Sequence, residues 1–337
     1  MNHRVSAPAL SRRTFLRHAV ALGAATTLSA CAGAPSTVKR VPRVGILSLQ
    51  PAPASSSGLA EALVADMRDL GYENGKNIQV SFHWNNEVDT DVRGAKAAAE
   101  VVALQVDVIV AYGNVAQRGA KATTSTIPIV IFAGPDPVEA GLVESLARPG
   151  GNVTGVAGNT ALMSAKGIEL LKESFPSVSR VAIISDFDPD RKRKRRAAED
   201  AAHALGLDFV TVEVRSAADV PAALEAADPG VDALLVFSLW VSPHERAFAA
   251  TRRIPALYAT EVSVDNGGLM TYVEDHFEMA RRVASYVVRI LNGEQPATMP
   301  IEQATKYRLV INLKTAREQG LTIPQSVLSR ATRVIEQ

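Results

Sequence analysis

The chain has 337 residues, of which 47% are hydrophobic and 21% are charged, a composition typical of a globular protein long enough for two domains. Cys31 is the only cysteine, which excludes an internal disulfide, a thiolate zinc site and a Cys/His catalytic pair in the folded part. The formal net charge is +1, but residues 1–30 contain four arginines and no acidic residue, so the rest of the chain has no basic surplus and nucleic acid is not expected as a partner.

The first 30 residues have the layout of an export signal. Residues 11–16 read Ser-Arg-Arg-Thr-Phe-Leu, which matches the twin-arginine export motif, and an apolar stretch at 19–30 follows it. This stretch is shorter than the roughly 20 residues that span a bilayer, so a permanent membrane helix is not expected there.

Cys31 lies at the end of this signal. The sequence Leu-Ser-Ala-Cys at 28–31 is similar to a lipobox, in which case Cys31 becomes the first mature residue and carries acyl chains that hold the protein on a membrane. The alternative is a buried or incidental cysteine. Residues 31–42 are rich in small residues and proline, and we predict that they form a flexible tether.

From residue 43 onward, short β-branched runs alternate with alanine-rich segments of helical periodicity. In the first part, strands are predicted at 44–47, 79–82, 108–111, 129–132 and 153–156, and helices at 57–70, 90–104 and 115–123. The pattern then repeats, with strands at 181–185, 209–213, 233–237, 256–258 and 269–272 and helices at 192–205, 220–227 and 243–252. Such alternation predicts an α/β fold of parallel sheets with helices on both faces.

Two successive α/β units of similar length predict two lobes with a ligand cleft between them. The ligand of such a fold lies outside the carboxyl ends of the strands. We assign residues 43–155 and about 273–300 to lobe 1, because an amphipathic helix at 275–291 is expected to return there, and Asn292-Gly293 ends it. Lobe 2 is predicted at 156–272, and residues 301–337 are expected to pack across the lobes.

Seven segments carry a resemblance to a known family. They are LGYENGKNI at 70–78, VDVIV at 106–110, TIPIV at 126–130, DPVEAGLV at 136–143, SLARPGGNVTG at 145–155, GGLM at 267–270 and VINLKTA at 310–316. Over residues 42–335, their order and spacing resemble those of the ABC transporter substrate-binding proteins that include tryptophan-binding members. The resemblance implies a type I periplasmic-binding-protein fold, in which two Rossmann-like lobes joined by three crossings close over a small ligand.

Two loops depart from the pattern of this family. Residues 113–115 read Gly-Asn-Val where Gly-Thr-Pro or a similar sequence is usual, and residues 185–190 read Ser-Asp-Phe-Asp-Pro-Asp where an Asn-Pro type of turn is usual. Both loops are expected to face the cleft, so the resemblance does not identify the ligand.

Candidate ligand contacts of lobe 1 follow its strands. Ser48 and Gln50 end the first strand, and Gly113 and Asn114 open a helix whose free backbone N–H groups could hold a carboxylate, although Asn114 could also be only the N-cap. Gly134 and Pro135 follow the fourth strand and are predicted to line the cleft. The next residue, Asp136, is expected to cap a helix that begins near residue 138.

Candidate contacts of lobe 2 also lie at or just after strand ends. They are Asp186, Asp188, Ser238, Trp240, Glu261 and Tyr272. An acid of this set could bind a ligand ammonium, and Trp240 could stack on a ring or a cation. The alternatives are helix capping for Asp186 and Asp188 and surface packing for Trp240.

Residues 191–196, Arg-Lys-Arg-Lys-Arg-Arg, form a basic run at a predicted helix start. We interpret this run as a solvated, charged helix face, because acidic residues follow it at 199 and 200. The alternative is docking to phospholipid headgroups or to a permease.

Motifs of enzymes are missing from the sequence. It has no Gly-x-Ser-x-Gly, His-Glu-x-x-His, P-loop or Gly-x-Gly-x-x-Gly, and none of the six histidines is spaced as a metal pair. We therefore expect neither catalysis nor a cofactor or metal. The predicted protein is a monomeric, extracytoplasmic, lipid-anchored solute receptor of an ABC importer, which passes a small polar molecule, with amino acids as one candidate class, to a permease driven by an ATPase. The alternative is a ligand sensor for a membrane receptor.

Overall fold

The computed structural model describes residues 40–49, 57–84, 91–186, 192–227, 229–237 and 243–337. The predicted signal at 1–30, residues 31–39 of the predicted tether and residue 191 of the basic run lie outside this part of the chain. So do the candidate residues Cys31, Gln50, Asp188, Ser238 and Trp240. Strands and helices alternate along most of the described part, so the predicted α/β class is confirmed. None of the described helices combines the length and the apolar character needed to cross a membrane.

The described strands are β1 (Arg43–Ser48), β2 (Gln79–Trp84), β3 (Val108–Tyr112), β4 (Ile129–Phe132), β5 (Val153–Ala157), β6 (Arg180–Asp186), β7 (Asp208–Val214), β8 (Ala233–Val236), β9 (Ala256–Tyr258), β10 (Met270–Glu274), β11 (Glu302–Gln303), β12 (Tyr307–Asn312) and β13 (Arg333–Ile335). The described α-helices are α1 (Ser57–Asp69), α2 (Asp91–Ala103), α3 (Asn114–Thr123), α4 (Thr160–Ser174), α5 (Lys192–Ala204), α6 (Val220–Ala227), α7 (Pro243–Arg252), α8 (Glu261–Asp265), α9 (His276–Leu291), α10 (Leu313–Gln319) and α11 (Gln325–Leu328).

The strands form two sheets. The first has the order β11-β5-β4-β3-β1-β2, and all its pairs are parallel. The second has the order β13-β12-β10-β9-β8-β6-β7 and is parallel except for the antiparallel pair β10 and β12. We call the first sheet with α1 to α3 and α9 lobe 1, and the second sheet with the other helices lobe 2.

Lobe 1 has a core on each face of its sheet, because successive side chains of a strand point to opposite faces. In β3, Val108 and Val110 pack in the cluster that includes residues of α1 and α9, whereas Ile109 and Ala111 pack with residues of α2 and α3. With helices on both faces, β3, β4 and β5 are buried almost throughout, as parallel strands usually are.

Lobe 2 repeats this arrangement. Val181 and Ile183 of β6 pack on the side of α4, α5, α10 and α11, and Ala182 and Ile184 pack on the side of α6 and α7. The last strands of the chain, β12 and β13, complete this sheet at the edge of β10.

The chain passes between the lobes three times within the described residues, at 158–159, at 275 and at 304–306. The first two crossings leave the carboxyl ends of β5 and β10, and the third leaves the end of β11. Backbone hydrogen bonds join the crossings, with the Ala304 N–H donating to the Ala157 oxygen and the Asp275 N–H donating to the Lys306 oxygen, both at 2.9 Å. The carboxyl edges of the two sheets therefore both border the crossings.

Candidate functional site

The carboxyl edge of lobe 1 contains the start of α3. Gly113 has φ 81° and ψ 162° and is the N-cap, so Asn114 is the first helical residue and not the cap that the alternative interpretation expected. Asn114 is only 8% exposed, and its Oδ1 accepts a hydrogen bond from the Val115 N–H at 3.0 Å. The Gly113 N–H donates a hydrogen bond to the Phe132 oxygen at 3.2 Å, so what this turn presents at the edge is the partial positive charge of the helix start.

The segment after β4 makes a second part of this edge. Ala133 and Gly134 have φ 57° and 93°, so two left-handed residues in succession turn the chain into Pro135. Asp136 Oδ1 accepts hydrogen bonds from the N–H groups of Val138 at 2.9 Å and Glu139 at 3.3 Å. The helix predicted from about residue 138 is wrong, because residues 137–141 form a turn that ends at Gly141, which has φ 67°.

Ser48 ends β1 at the same carboxyl edge and is fully buried. Gln50, the other candidate of the same loop, lies outside the described residues. The structure thus brings together Ser48, Gly113, Asn114, Gly134 and Pro135 at the ends of three neighbouring strands, β1, β3 and β4.

A carboxylate lies where the crossings meet. Glu274, 6% exposed, ends β10, and its Oε1 accepts a hydrogen bond from the Asn159 N–H at 2.8 Å. Its Oε2 lies 3.7 Å from His276 Nε2. A Cβ on Gly158 would lie 2.5 Å from the Gly134 oxygen and 2.7 Å from Glu274 Oε1, so only glycine fits between lobe 1 and this carboxylate. Glu274 therefore ties the first crossing to the second.

Aromatic rings surround this carboxylate. The Tyr112 ring packs edge-on against Phe132, with the centroids 5.0 Å apart, and its hydroxyl lies 3.4 Å from His276 Nδ1. Burial, followed by the nearby Glu274 charge, raises the pKa of Tyr112, and the same two causes in the same order raise the pKa of Tyr307 to about 12. Both phenols are therefore neutral donors at physiological pH. We call Tyr112, Phe132, Glu274 and His276 the floor cluster.

Sequence reasoning missed the floor cluster. Tyr112, Phe132 and Glu274 are the last residues of β3, β4 and β10. The signal was available in the sequence, because Tyr112 directly precedes Gly113 and Glu274 directly precedes the helix of residues 275–291. Examination of the last residue of each strand would have found them.

Charges of the basic run reach across the crossings to lobe 1. The Arg193 guanidinium, near the start of α5, pairs with the Asp136 carboxylate. The two side chains line a shallow, open recess that also includes residues of the first crossing. The Lys194 ammonium lies 4.3 Å from the centroid of the Phe237 ring.

Further along the same helix, the basic run pairs with acids of its own lobe. Arg195 pairs with Glu213 and lies 3.7 Å from Glu199, whereas Arg196 lies 3.9 Å from Asp200 on an exposed face. These pairs agree with a charged, solvated helix face for this part of the run.

The other candidates of lobe 2 are engaged within that lobe or not described. Asp186 ends β6. The Glu261 carboxylate accepts hydrogen bonds from Arg308 Nε at 2.6 Å and from Arg333 Nη2 at 3.2 Å. The Tyr272 ring stacks on Tyr307, with the centroids 5.4 Å apart and an angle of 16° between the planes, on the side of the sheet that α4 covers. No group of three metal-ligating side chains is formed by the residues that the structure describes.

The chain is similar to known proteins over most of its length. A tyrosine-binding protein of Clostridioides difficile (strain R20291) is 26% identical over 285 residues, which cover 83% of this chain and 81% of that protein. Among solved structures, a conserved domain protein of Vibrio cholerae has a TM-score of 0.78 at 27% identity, with 88% of this chain and all of that chain covered.

A second solved structure, an ABC domain of Streptococcus pneumoniae in complex with L-Trp, has a TM-score of 0.77 at 26% identity, with 87% of this chain and 99% of that chain covered. The expected type I periplasmic-binding-protein fold is confirmed by these similarities. The family model that matches residues 46–335 is described as ABC transporter substrate binding protein.

Proposed function

The chain belongs to the ABC transporter substrate-binding protein family, and we propose that it is an exported, lipid-anchored receptor that captures an aromatic amino acid and delivers it to a permease. The observation that carries the ligand class is the start of α3, with its partial positive charge, directly after Tyr112 of the floor cluster, at the carboxyl edge where ligands of such folds lie. The relatives named for tyrosine binding and solved with L-Trp support the same class.

On this proposal, lobe 1 holds the ligand carboxylate. The partial positive charge at the start of α3 favours an anion there. Gly134 would contribute its backbone to the site, because its left-handed conformation, φ 93°, turns the chain at this edge. The floor cluster supplies rings for an aromatic side chain and, through the Glu274 carboxylate, a negative potential that favours an ammonium group.

Lobe 2 supplies the other ligand contacts that we propose. Since Glu261 is paired with two arginines and Tyr272 stacks on Tyr307, the candidates kept in this lobe are Asp186 and Asp188 for the ligand ammonium and Ser238 and Trp240 for its side chain.

Closure of the lobes completes the capture mechanism. The three crossings are one to three residues long between their flanking elements, which suits hinges that absorb backbone rotation. The ion pair between Arg193 and Asp136 joins the lobes on the side of the recess and would form only when they approach. We propose that closure then presents a combined surface of both lobes to the permease.

Export and anchoring rest on the sequence of residues 1–31. We propose that the twin-arginine signal exports the folded chain and that acylated Cys31 holds it on the membrane, near its permease. Replacement of Cys31 by serine should move the protein from the membrane fraction to the soluble extracytoplasmic fraction. Arg12→Lys together with Arg13→Lys should keep it in the cytoplasm. Retention of the Cys31→Ser protein on membranes would contradict the acyl anchor.

Calorimetry on the full chain, purified in mild detergent, tests the ligand class. L-tryptophan and L-tyrosine should each bind one to one and be recovered unchanged. Tryptamine, which lacks the carboxylate, should bind roughly 10- to 150-fold more weakly, because charge-assisted hydrogen bonds contribute about 1.5–3 kcal/mol. Equal binding of tryptamine would contradict the role of α3. A ligand consumed during the titration would contradict a pure receptor.

A further inference from the structure

Gln117 is a buried polar side chain directly beneath the ligand-facing edge of lobe 1. It lies near the start of α3 and is 1% exposed. Its Nε2 donates to the Ala133 oxygen at 2.7 Å, and the oxygens of Phe132 and Ala111 lie 3.4 Å from the same nitrogen. A single amide group therefore ties the ends of β3 and β4 to the helix between them.

The turn that Gln117 holds has an unfavourable backbone. Ala133 adopts φ 57°, a left-handed conformation in which the Cβ of an L-residue is crowded against the following carbonyl oxygen. Gly134 follows with φ 93°, and a Cβ there would lie 3.0 Å from Gln117 Nε2 and 3.1 Å from its Oε1. The turn and the side chain beneath it are thus fitted to each other.

The amide is used as a donor at this place. No described residue donates a hydrogen bond to the buried Gln117 Oε1, whereas its NH₂ group faces three carbonyl oxygens. A glutamate would place a carboxylate oxygen against those carbonyls, and an apolar side chain would leave the Ala133 oxygen buried without its donor.

We propose that Gln117 is the positioning residue of the ligand site, which holds the Ala133–Pro135 turn in the conformation that presents the Gly134 backbone to the ligand. This role rests on the proposed function, since contact of the ligand with Gly134 is part of it. Gln117 itself lies behind the turn and does not touch the ligand.

Substitution of Gln117 tests this role in the full chain, with L-tryptophan as the probe in calorimetry. Gln117→Met keeps the length of the side chain without the donor and should weaken binding at least tenfold. Gln117→Glu should weaken it further. The matched control is Gln319→Met, because Gln319 is also a buried glutamine, 7% exposed and with an Oε1 to which no described residue donates, but it lies at the end of α10 in lobe 2. The control should bind as the wild type does.

A rescue distinguishes positioning from plain loss of packing. Ala133→Gly removes the Cβ that disfavours φ 57°, so it should restore most of the affinity of Gln117→Met when the two are combined. If Gln117 only fills the core, Ala133→Gly restores nothing, and the positioning role is overturned.

Amide hydrogen exchange of the ligand-free protein tests the turn independently of any ligand. The Ala133 N–H, which donates to the Val156 oxygen at 2.9 Å, should exchange at least tenfold faster in Gln117→Met than in the wild type. Unchanged exchange would overturn the proposal, as would faster exchange with unchanged tryptophan binding. A wild-type protein that binds neither L-tryptophan nor L-tyrosine refutes the proposed ligand class, and the exchange rate then decides alone whether Gln117 holds the turn.

Discussion

The contact between α2 and α3 leaves no room for a side chain at Gly119, so Gly119→Ala should disturb the packing of α3, the helix that begins at the carboxyl edge of lobe 1. A Cβ on Gly119 would lie 2.4 Å from the carbonyl carbon and oxygen of Gly94 and 2.9 Å from the Ala95 nitrogen. Since these are backbone atoms, no rotamer change relieves the clash, and the two helices must move apart.

The size of the effect follows from two opposed contributions. Overpacking costs about 1–3 kcal/mol, and a clash with backbone belongs at the upper end of that range. Alanine regains roughly 1 kcal/mol of helix propensity over glycine. We expect Gly119→Ala to lower the free energy of unfolding by about 2 kcal/mol and the melting temperature by roughly 3 °C, because an unfolding entropy of about 2.1 cal/mol/K per residue corresponds to about 1.5 °C per kcal/mol for a folded part of roughly 300 residues.

Thermal unfolding followed by circular dichroism measures this effect, with Gly58→Ala as the matched control. Gly58 is also helical, in α1, but its Cβ would meet only ring atoms of Phe277, at 3.8 Å or more. The control should be neutral or gain up to about 1 kcal/mol. A melting temperature for Gly119→Ala within a degree of the wild type, or an equal loss in Gly58→Ala, would refute the reasoning. Tryptophan binding should weaken only in Gly119→Ala, because α3 moves.

Three further changes address the lobes separately. Arg193→Gln should speed ligand dissociation by at most about fivefold, because a half-exposed ion pair contributes roughly 0.2–1 kcal/mol. Since Asp136 is the partner of Arg193, adding Asp136→Asn to this variant should not speed dissociation further. The difference should shrink in 0.5 M salt, which stopped-flow fluorescence can follow. Burial lowers the pKa of His83, so the folded state resists its protonation and stability falls as the pH drops below about 6.5. His83→Gln should remove that part of the fall between pH 7 and pH 5 in thermal unfolding, and an unchanged slope would contradict it. Asn312→Ala should cost about 1–2 kcal/mol in urea unfolding, because the side chain caps α10 and donates to the Val264 oxygen at 3.2 Å. If Asn312→Ala lowers the free energy of unfolding no more than an alanine substitution at an exposed surface position does, the cap does not stabilise the protein.

The regular elements of the fold could be predicted because each depends on neighbouring residues. The β-branched run at 129–132 coincides with β4, and the helical pattern at 90–104 coincides with α2 to within one residue at each end. The residues at which strands and helices end are harder to predict from the sequence. β10 continues to Glu274, two residues beyond the predicted end, and this shift concealed the carboxylate at the crossings.

The prediction of a helix after Asp136 failed because a helix start and a turn have the same sequence pattern. An aspartate followed by proline and small residues is typical of a helix start, and Asp136 indeed accepts hydrogen bonds from the next backbone N–H groups. A turn uses the same hydrogen bonds, and Gly141 ends it before a helix can form. Sequence periodicity over so few residues does not separate the two.

The pairing partners of the charged candidates were beyond prediction. Glu261 is 47 residues from Arg308 and 72 residues from Arg333 in sequence, and only the antiparallel pairing of β12 with β10 brings these side chains together. The candidates of lobe 1 follow strands that directly precede their own helices or turns, so the local chain fixes their place at the carboxyl edge of the sheet.

The distribution of rigid and weak contacts suits a receptor whose lobes respond to a ligand. Lobe 1 is fixed in advance by backbone contact at Gly119 and by the hydrogen bonds of Gln117. Between the lobes, the pair of Arg193 with Asp136 is half-exposed and shifts the closed population by no more than about fivefold. A strong interlobe contact would close the protein without ligand and hinder entry, whereas a weak one lets the differential affinity of the ligand decide the state. On the proposed function, the permease would then receive a closed surface mainly when the site is occupied.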